Sequence, residues 1–180
     1  TLKALLLRFL ARTAGCPVIY LDADTYLLAP LGPVLPPHPD FSVFLTPHLT
    51  APLPGDYHAN EIGMLCAGTY NAGVVGVGTN PDGIRFLDWW AERVRLYAYE
   101  AQAQGVFTDQ RWLDLVPSFF RQVCVSQESG LNVGHWRVCS ERDFAEDPAG
   151  RLTFRGGAVT LMHMSQFVPE RPHLLARYVT

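Results

Sequence analysis

Residues 18–25, Val18-Ile19-Tyr20-Leu21-Asp22-Ala23-Asp24-Thr25, join an unbroken apolar run to two carboxylates one residue apart. Apolar residues on both faces are the pattern of a central parallel strand, and open α/β sheets bind ligands at the carboxyl ends of such strands. Asp22 and Asp24 are expected at that end. Carboxylates this close repel each other unless a cation or a shared proton intervenes, and such oxygen donors suit Mn²⁺ or Mg²⁺. An ordinary strand followed by an Asp-rich turn would read the same way, so the rest of the chain has to decide.

The 180 residues are 48% hydrophobic and 17% charged, the composition of one globular domain spanning 1–180. A net charge of -3 gives no electrostatic case for nucleic acid or an anionic membrane as partner. No run reaches the roughly 18 to 20 apolar residues that a transmembrane segment needs. Residues 2–10 are apolar, but Lys3 and Arg8, with Arg12 beyond, fit an amphipathic helix better than a signal peptide. Cys16, Cys66, Cys124 and Cys139 are scattered without a Cys-x-x-Cys pair, which points to reduced thiols and a cytoplasmic setting rather than a zinc site. The chain opens on Thr1 and reaches the Asp22 strand almost at once, so a fragment of a longer protein is expected.

Leu2, Leu5, Leu6, Phe9 and Leu10 form the stripe of a helix packed on a sheet, closed by Gly15 and Pro17. A helix feeding a strand through a short loop is half of a βαβ unit and predicts an α/β class. Pro30, Pro33, Pro36, Pro37 and Pro39 predict a rigid extended connection, neither helix nor central strand. Residues 41–46 read as a second strand and 46–66 as a long loop. In residues 70–77, Gly73 and Gly76 interrupt a β-branched strand, which signals a bulge, a close approach or tight packing on a helix. Asn80-Pro81-Asp82 starts a helix predicted to run to about Gly105, with Trp89 and Trp90 in core or flank. A further helix is expected from Thr108, with Asp109 and Gln110 in its first turn and Pro117 near its end. A short strand at 122–125, a turn at 130–136 and a closing hairpin or strand at 153–164 complete the pattern.

Asp22-Ala23-Asp24, Asn71-Ala72-Gly73, Asp109-Gln110, Asn132 to Trp136 and Met162-His163-Met164 follow one another in this order. As Asp-x-Asp, Asn-x-Gly, an Asp-Gln helix start, an Asn-Val-x-x-Trp turn and a metal-binding His segment, they resemble a nucleotide-sugar glycosyltransferase of the GT-A fold, similar to glycosyltransferase family 8 and related bacterial sugar transferases. The resemblance implies an α/β, mixed but mainly parallel sheet with flanking helices, here the C-terminal part of the catalytic domain without its N-terminal nucleotide-binding strands. It implies Asp22, Asp24 and His163 as ligands of Mn²⁺ (or Mg²⁺), and Asp109 and Gln110 as catalytic residues. Lys3, Asp22, Ala23, Asp24, Asn71, Ala72, Gly73 and Asn132 would bind the donor, a nucleotide-diphosphate sugar. The sugar would pass to an acceptor hydroxyl with retention. After His163 the chain reads Ser165, Gln166 and Phe167, where the family carries a Gly and then a phosphate-binding Lys.

Two other readings remain open. A phosphatase of the haloacid dehalogenase type also ends an apolar strand in Asp-x-Asp, but it wants Thr or Val where Tyr26 stands and a downstream lysine, whereas Lys3, the chain's one lysine, lies upstream. A degenerate or truncated transferase-like module could bind sugar or a partner without turnover.

Overall fold

The computed structural model describes residues 2–36 and 40–176. In chain order the elements are α1 (Leu2–Thr13), β1 (Val18–Leu21), β2 (Thr25–Leu27), β3 (Val43–Pro47), α2 (His58–Ala67), β4 (Tyr70–Val77), α3 (Pro81–Tyr97), β5 (Glu100–Ala101), β6 (Val106–Phe107), α4 (Val116–Phe119), β7 (Val123–Val125), β8 (Phe144–Glu146), β9 (Leu152–Phe154), β10 (Gly157–Ala158) and β11 (Leu161–His163), with short 3-10 helices between several of them. The class is mixed α/β.

Four strands form the main sheet in the order β1-β4-β3-β7. β4 is antiparallel to both β1 and β3, and β3 with β7 is the parallel pair. This corrects the expectation of a mainly parallel sheet with β1 at its centre. The centre belongs to β4, whose eight residues form the longer run and bury Val74, Val75 and Val77 completely. β1 is an edge strand, half-buried throughout, because its alternate residues pack on two different clusters: Val18 and Tyr20 on the main core, Ile19 and Leu21 on the group around Phe41, Phe44 and Val74. β11 pairs with β2 rather than with β1.

The reversed direction of β4 builds the site. It brings the start of β4 beside the ends of β1 and β3, with Asn71 opposite Thr46 and Val74 opposite Leu21. The polar residues that follow β1 and β3 therefore meet those that open β4 on one sheet edge.

α1 is a helix as expected, but it is turned. Ala4, Leu7 and Ala11 are buried, whereas Leu2, Leu5, Leu6 and Phe9 of the expected core stripe are exposed. Small residues allow the close approach to α3 that the larger stripe would prevent, and that rotation also aims Lys3 at the sheet edge. α3 begins as predicted, with the Asn80 side chain accepting from Gly83 N at 2.9 Å and Pro81 in the first turn. It stops at Tyr97, short of Gly105, because residues 100–107 form the β5–β6 hairpin around Gly105, whose φ of 76° suits glycine. Its Phe86, Leu87 and Trp90 are fully buried.

Three further expectations are corrected. The 46–66 segment is half helix: α2 was hidden by flanking prolines and buries none of its ten residues. No α-helix starts at Thr108, which takes a positive φ of 47° in a turn; a 3-10 helix Arg111–Leu115 leads into α4, where Pro117 sits in the first turn, a position that needs no N–H. For the same reason Pro33 is accommodated in the 3-10 helix Gly32–Val34 within the proline-rich connection; Pro37 and Pro39 lie outside the described residues. The short strand β7 and the β9–β10 hairpin match expectation. No helix of the described residues is long and apolar enough to cross a membrane.

Candidate metal centre and its pocket

Asp22 follows β1 directly, and its backbone N donates to Gly73 O at 2.8 Å, which fixes it against β4. A tight turn follows, closed by Thr25 N and Thr25 Oγ1 donating to Asp22 O at 3.1 and 2.8 Å. Asp24 lies in that turn. β2 then pairs with β11 so that His163 faces Thr25, and Met164 N donates to Asp24 O at 2.8 Å. The result places one ligand atom each from Asp22, Asp24 and His163 within 4.8 Å of one another. His163 Nε2 stands 3.3 Å from Asp24 Oδ1.

Two main-chain groups determine which ring nitrogen of His163 carries the proton. Gly73 N, a donor, lies 2.8 Å from the Asn71 side-chain oxygen, so the Asn71 amide nitrogen faces His48 Nε2 at 3.1 Å. His48 Nε2 must accept, and His48 Nδ1 donates to Gly68 O at 2.8 Å. The Asn71 oxygen also accepts from Asn132 Nδ2 at 3.0 Å, which turns Asn132 Oδ1 toward His163 Nδ1 at 2.9 Å. His163 therefore carries its proton on Nδ1 and presents the Nε2 lone pair to Asp24. A lone pair facing a carboxylate oxygen is repulsive without a positive charge between them. Burial lowers the His163 pKa against the pull of Asp24 and Asp22, so the imidazolium is a poor source of that charge. A cation fits: two donors about 2.2 Å from one ion and at right angles to each other stand about 3.1 Å apart. Only a small side-chain shift is needed to bring all three atoms into range.

Asp22, Asp24 and His163 line a pocket of about 340 Å³ together with Lys3, Asn71, Ala72, Asp109 and Gln110. Lys3 Nζ lies 3.0 Å from Asp22 Oδ1 and 3.2 Å from Asp109 Oδ2, and it donates to Ala72 O at 2.9 Å. Asp109 is 6% exposed, its carbonyl accepting from Trp90 Nε1 at 2.9 Å, which ties the turn at 108–110 to the core helix α3. Gln110 donates to Ala67 O at 3.1 Å. Burial, and then the hydrogen bond with Asp22, pushes the Tyr20 phenol above its ordinary range.

Three of the expected site residues have other places. Ala23 is exposed and lies outside the lining. Asn132 is fully buried behind His163, where its amide also donates to Thr46 Oγ1 at 2.8 Å. Gly73 supplies space: a Cβ there would stand 2.2 Å from His163 Cε1, so the close approach anticipated in this strand is made by the imidazole.

Sequence reading missed His48. It directly follows β3 on the same edge as Asn71, a placement that needs the strand order to be known. Burial pushes its pKa down to about 4. Trp136 packs edge-on against His48, His135 and His163, with ring centroids 5.2 to 5.3 Å away. Arg137 is 2% exposed and donates to carbonyls of Pro47, His48, Ser129 and Leu131 at 2.7 to 3.1 Å. Burial lowers its pKa to about 10.

Over 149 residues, 81% of this chain, the sequence is 30% identical to the uncharacterized protein YfnF of Bacillus subtilis (strain 168), covering 48% of that protein. It is 23% identical over 163 residues to the uncharacterized protein YfnD of the same organism, covering 88% of this chain and 50% of that protein. The chain thus spans about half the length of the curated relatives it matches. No family model matches it. No solved structure matches it.

Proposed function

We propose that this chain forms the metal-holding half of a cytoplasmic glycosyltransferase of the GT-A type, moving a sugar from a nucleotide-diphosphate donor to an acceptor hydroxyl with retention. The observation that carries the reading is the His163 lone pair aimed at Asp24 beside Asp22, an arrangement that asks for a divalent cation, with Mn²⁺ favoured by the nitrogen donor. Bound there, the ion supplies Lewis-acid stabilisation of the diphosphate leaving group.

The chain's own residues divide the remaining tasks. Asp22, Asp24 and His163 hold the ion. Lys3 spreads its charge over Asp22 and Asp109 and keeps the two carboxylates in one pocket. Asp109 and Gln110 line the same pocket and offer acceptors and donors to sugar hydroxyls. In the transfer, the bond from the anomeric carbon to the diphosphate oxygen breaks and its electron pair leaves with the phosphate. A bond to the acceptor oxygen forms, and the hydroxyl proton passes to the departing diphosphate.

Calorimetric titration of the chain with Mn²⁺, with and without a nucleoside diphosphate, tests the proposal. Saturable Mn²⁺ binding that Asp24→Ala and His163→Ala each abolish, and that strengthens nucleotide binding, is expected. Nucleotide binding unchanged by metal and by both substitutions would remove its basis.

A further inference from the structure

A second cavity, of about 450 Å³, opens beside the metal pocket and shares His48 and Met64 with it. Its size falls within the ~300–1,000 Å³ typical of small-molecule sites. The walls come from the segment after β3 and from α2: Leu49, Ala51 and Pro52 on one side, Met64 and Leu65 on the other. Among the described residues no lysine or arginine lines it. The one carboxylate, Glu61, is turned to the main chain, accepting from Leu53 N at 2.7 Å, and His48 is held neutral by burial. An anionic diphosphate or nucleotide finds no counter-charge there, whereas an uncharged apolar group finds matching walls.

α2 supplies an independent observation. None of its ten residues is buried, and Leu65, 68% exposed, lines the cavity with Met64 and Glu61. A Cβ on Gly63 would meet nothing within 4 Å. A helix that buries none of its residues in the core thus turns Met64 and Leu65 to the cavity.

We propose that this cavity seats the apolar part of the acceptor, a hydroxyl compound bearing an uncharged alkyl or aromatic group. The inference rests on the transferase reading for the word acceptor, since the wall at His48 and Met64 is what brings such a compound's hydroxyl next to the metal pocket. The cavity itself stands apart from that reading, and the test separates them.

Saturation-transfer NMR on the 180-residue chain, with n-octyl β-D-glucopyranoside below its micelle concentration and methyl β-D-glucopyranoside as control, reads the cavity directly. Saturation of the octyl chain and at least ten-fold weaker binding of the methyl glycoside are expected. Ala51→Trp, which fills the cavity from an exposed position, and Leu65→Asp, which charges its wall, should each weaken octyl binding at least ten-fold while the thermal melt is retained. No octyl binding, equal binding of both glycosides, or octyl binding unchanged in both variants would overturn the proposal. Mn²⁺ titration of the same samples is read separately: loss of metal binding with octyl binding intact refutes the transferase reading and leaves an apolar ligand site.

Discussion

Asn132 Oδ1 accepts a hydrogen bond from His163 Nδ1 at 2.9 Å, and this bond commits the other ring nitrogen to the Asp22–Asp24 side. Partners behind a metal-binding histidine typically change affinity 10- to 100-fold. Asn132→Ala is expected to weaken Mn²⁺ binding by about that factor, measured by calorimetry on protein whose circular dichroism is native. Unaltered affinity would show that His163 is oriented by packing alone.

Gly73→Ala places a methyl group where His163 now lies. The expected cost is roughly 1–3 kcal/mol, the range for overpacking a tight interior. Mn²⁺ binding should fall further than stability, because the imidazole is what must move. Urea unfolding beside metal titration distinguishes the two losses.

His48 is predicted to make stability pH-dependent. Its folded pKa of about 4 lies below the unfolded value near 6.5, so the unfolded chain takes up the proton first. The stabilisation is complete above about pH 6.5 and is lost as pH falls toward 4, amounting to about 3 kcal/mol. His48→Gln should be less stable at neutral pH and show a flatter profile across this window in urea midpoints. A parallel decline in both proteins would assign the acid sensitivity elsewhere.

Arg137 meets four main-chain carbonyls with no carboxylate beside it in its hydrogen-bond set. Arg137→Met keeps much of the volume but leaves the Pro47, Ser129 and Leu131 carbonyls without this donor, while His48 O keeps Trp136 Nε1 at 3.0 Å, so a loss of about 3–5 kcal/mol is expected from the midpoint of denaturation. A loss below about 1 kcal/mol would mean that water replaces the guanidinium.

The rotation of α1 predicts a contrast between adjacent leucines. Leu7→Ala, in the core, should cost roughly 2–5 kcal/mol, and Leu6→Ala, half exposed, no more than about 0.5 kcal/mol. The reverse order would restore the larger stripe as the buried face.

These cases mark how far the sequence can be read. That Asp22, Asp24 and His163 come together follows from the motif resemblance, which spans the roughly 140 residues between them that no local pattern bridges. The place of β1 was not visible, since apolar residues on both faces also suit an edge strand that separates two clusters. The turn of α1 was hidden because periodicity identifies a helix, while the choice between a large stripe and a small one depends on how near α3 can come. The resemblance gives Asn71 and Asn132 as donor contacts, and Asn71 does line the pocket; the interlocking of their amides depends on Gly68 and Gly73 main-chain groups that no side-chain pattern reveals.

Lys3 is the one lysine of the chain, and its ammonium is shared between Asp22 and Asp109. The pocket consequently carries its own chemical label. Amine acylation can modify a single side chain besides the terminal amine, and its rate there reports how firmly the two carboxylates retain their counter-ion. An ion entering beside Asp22 would compete for that carboxylate and quicken the reaction, so one mass-spectrometric peak would register occupancy without any assay of turnover.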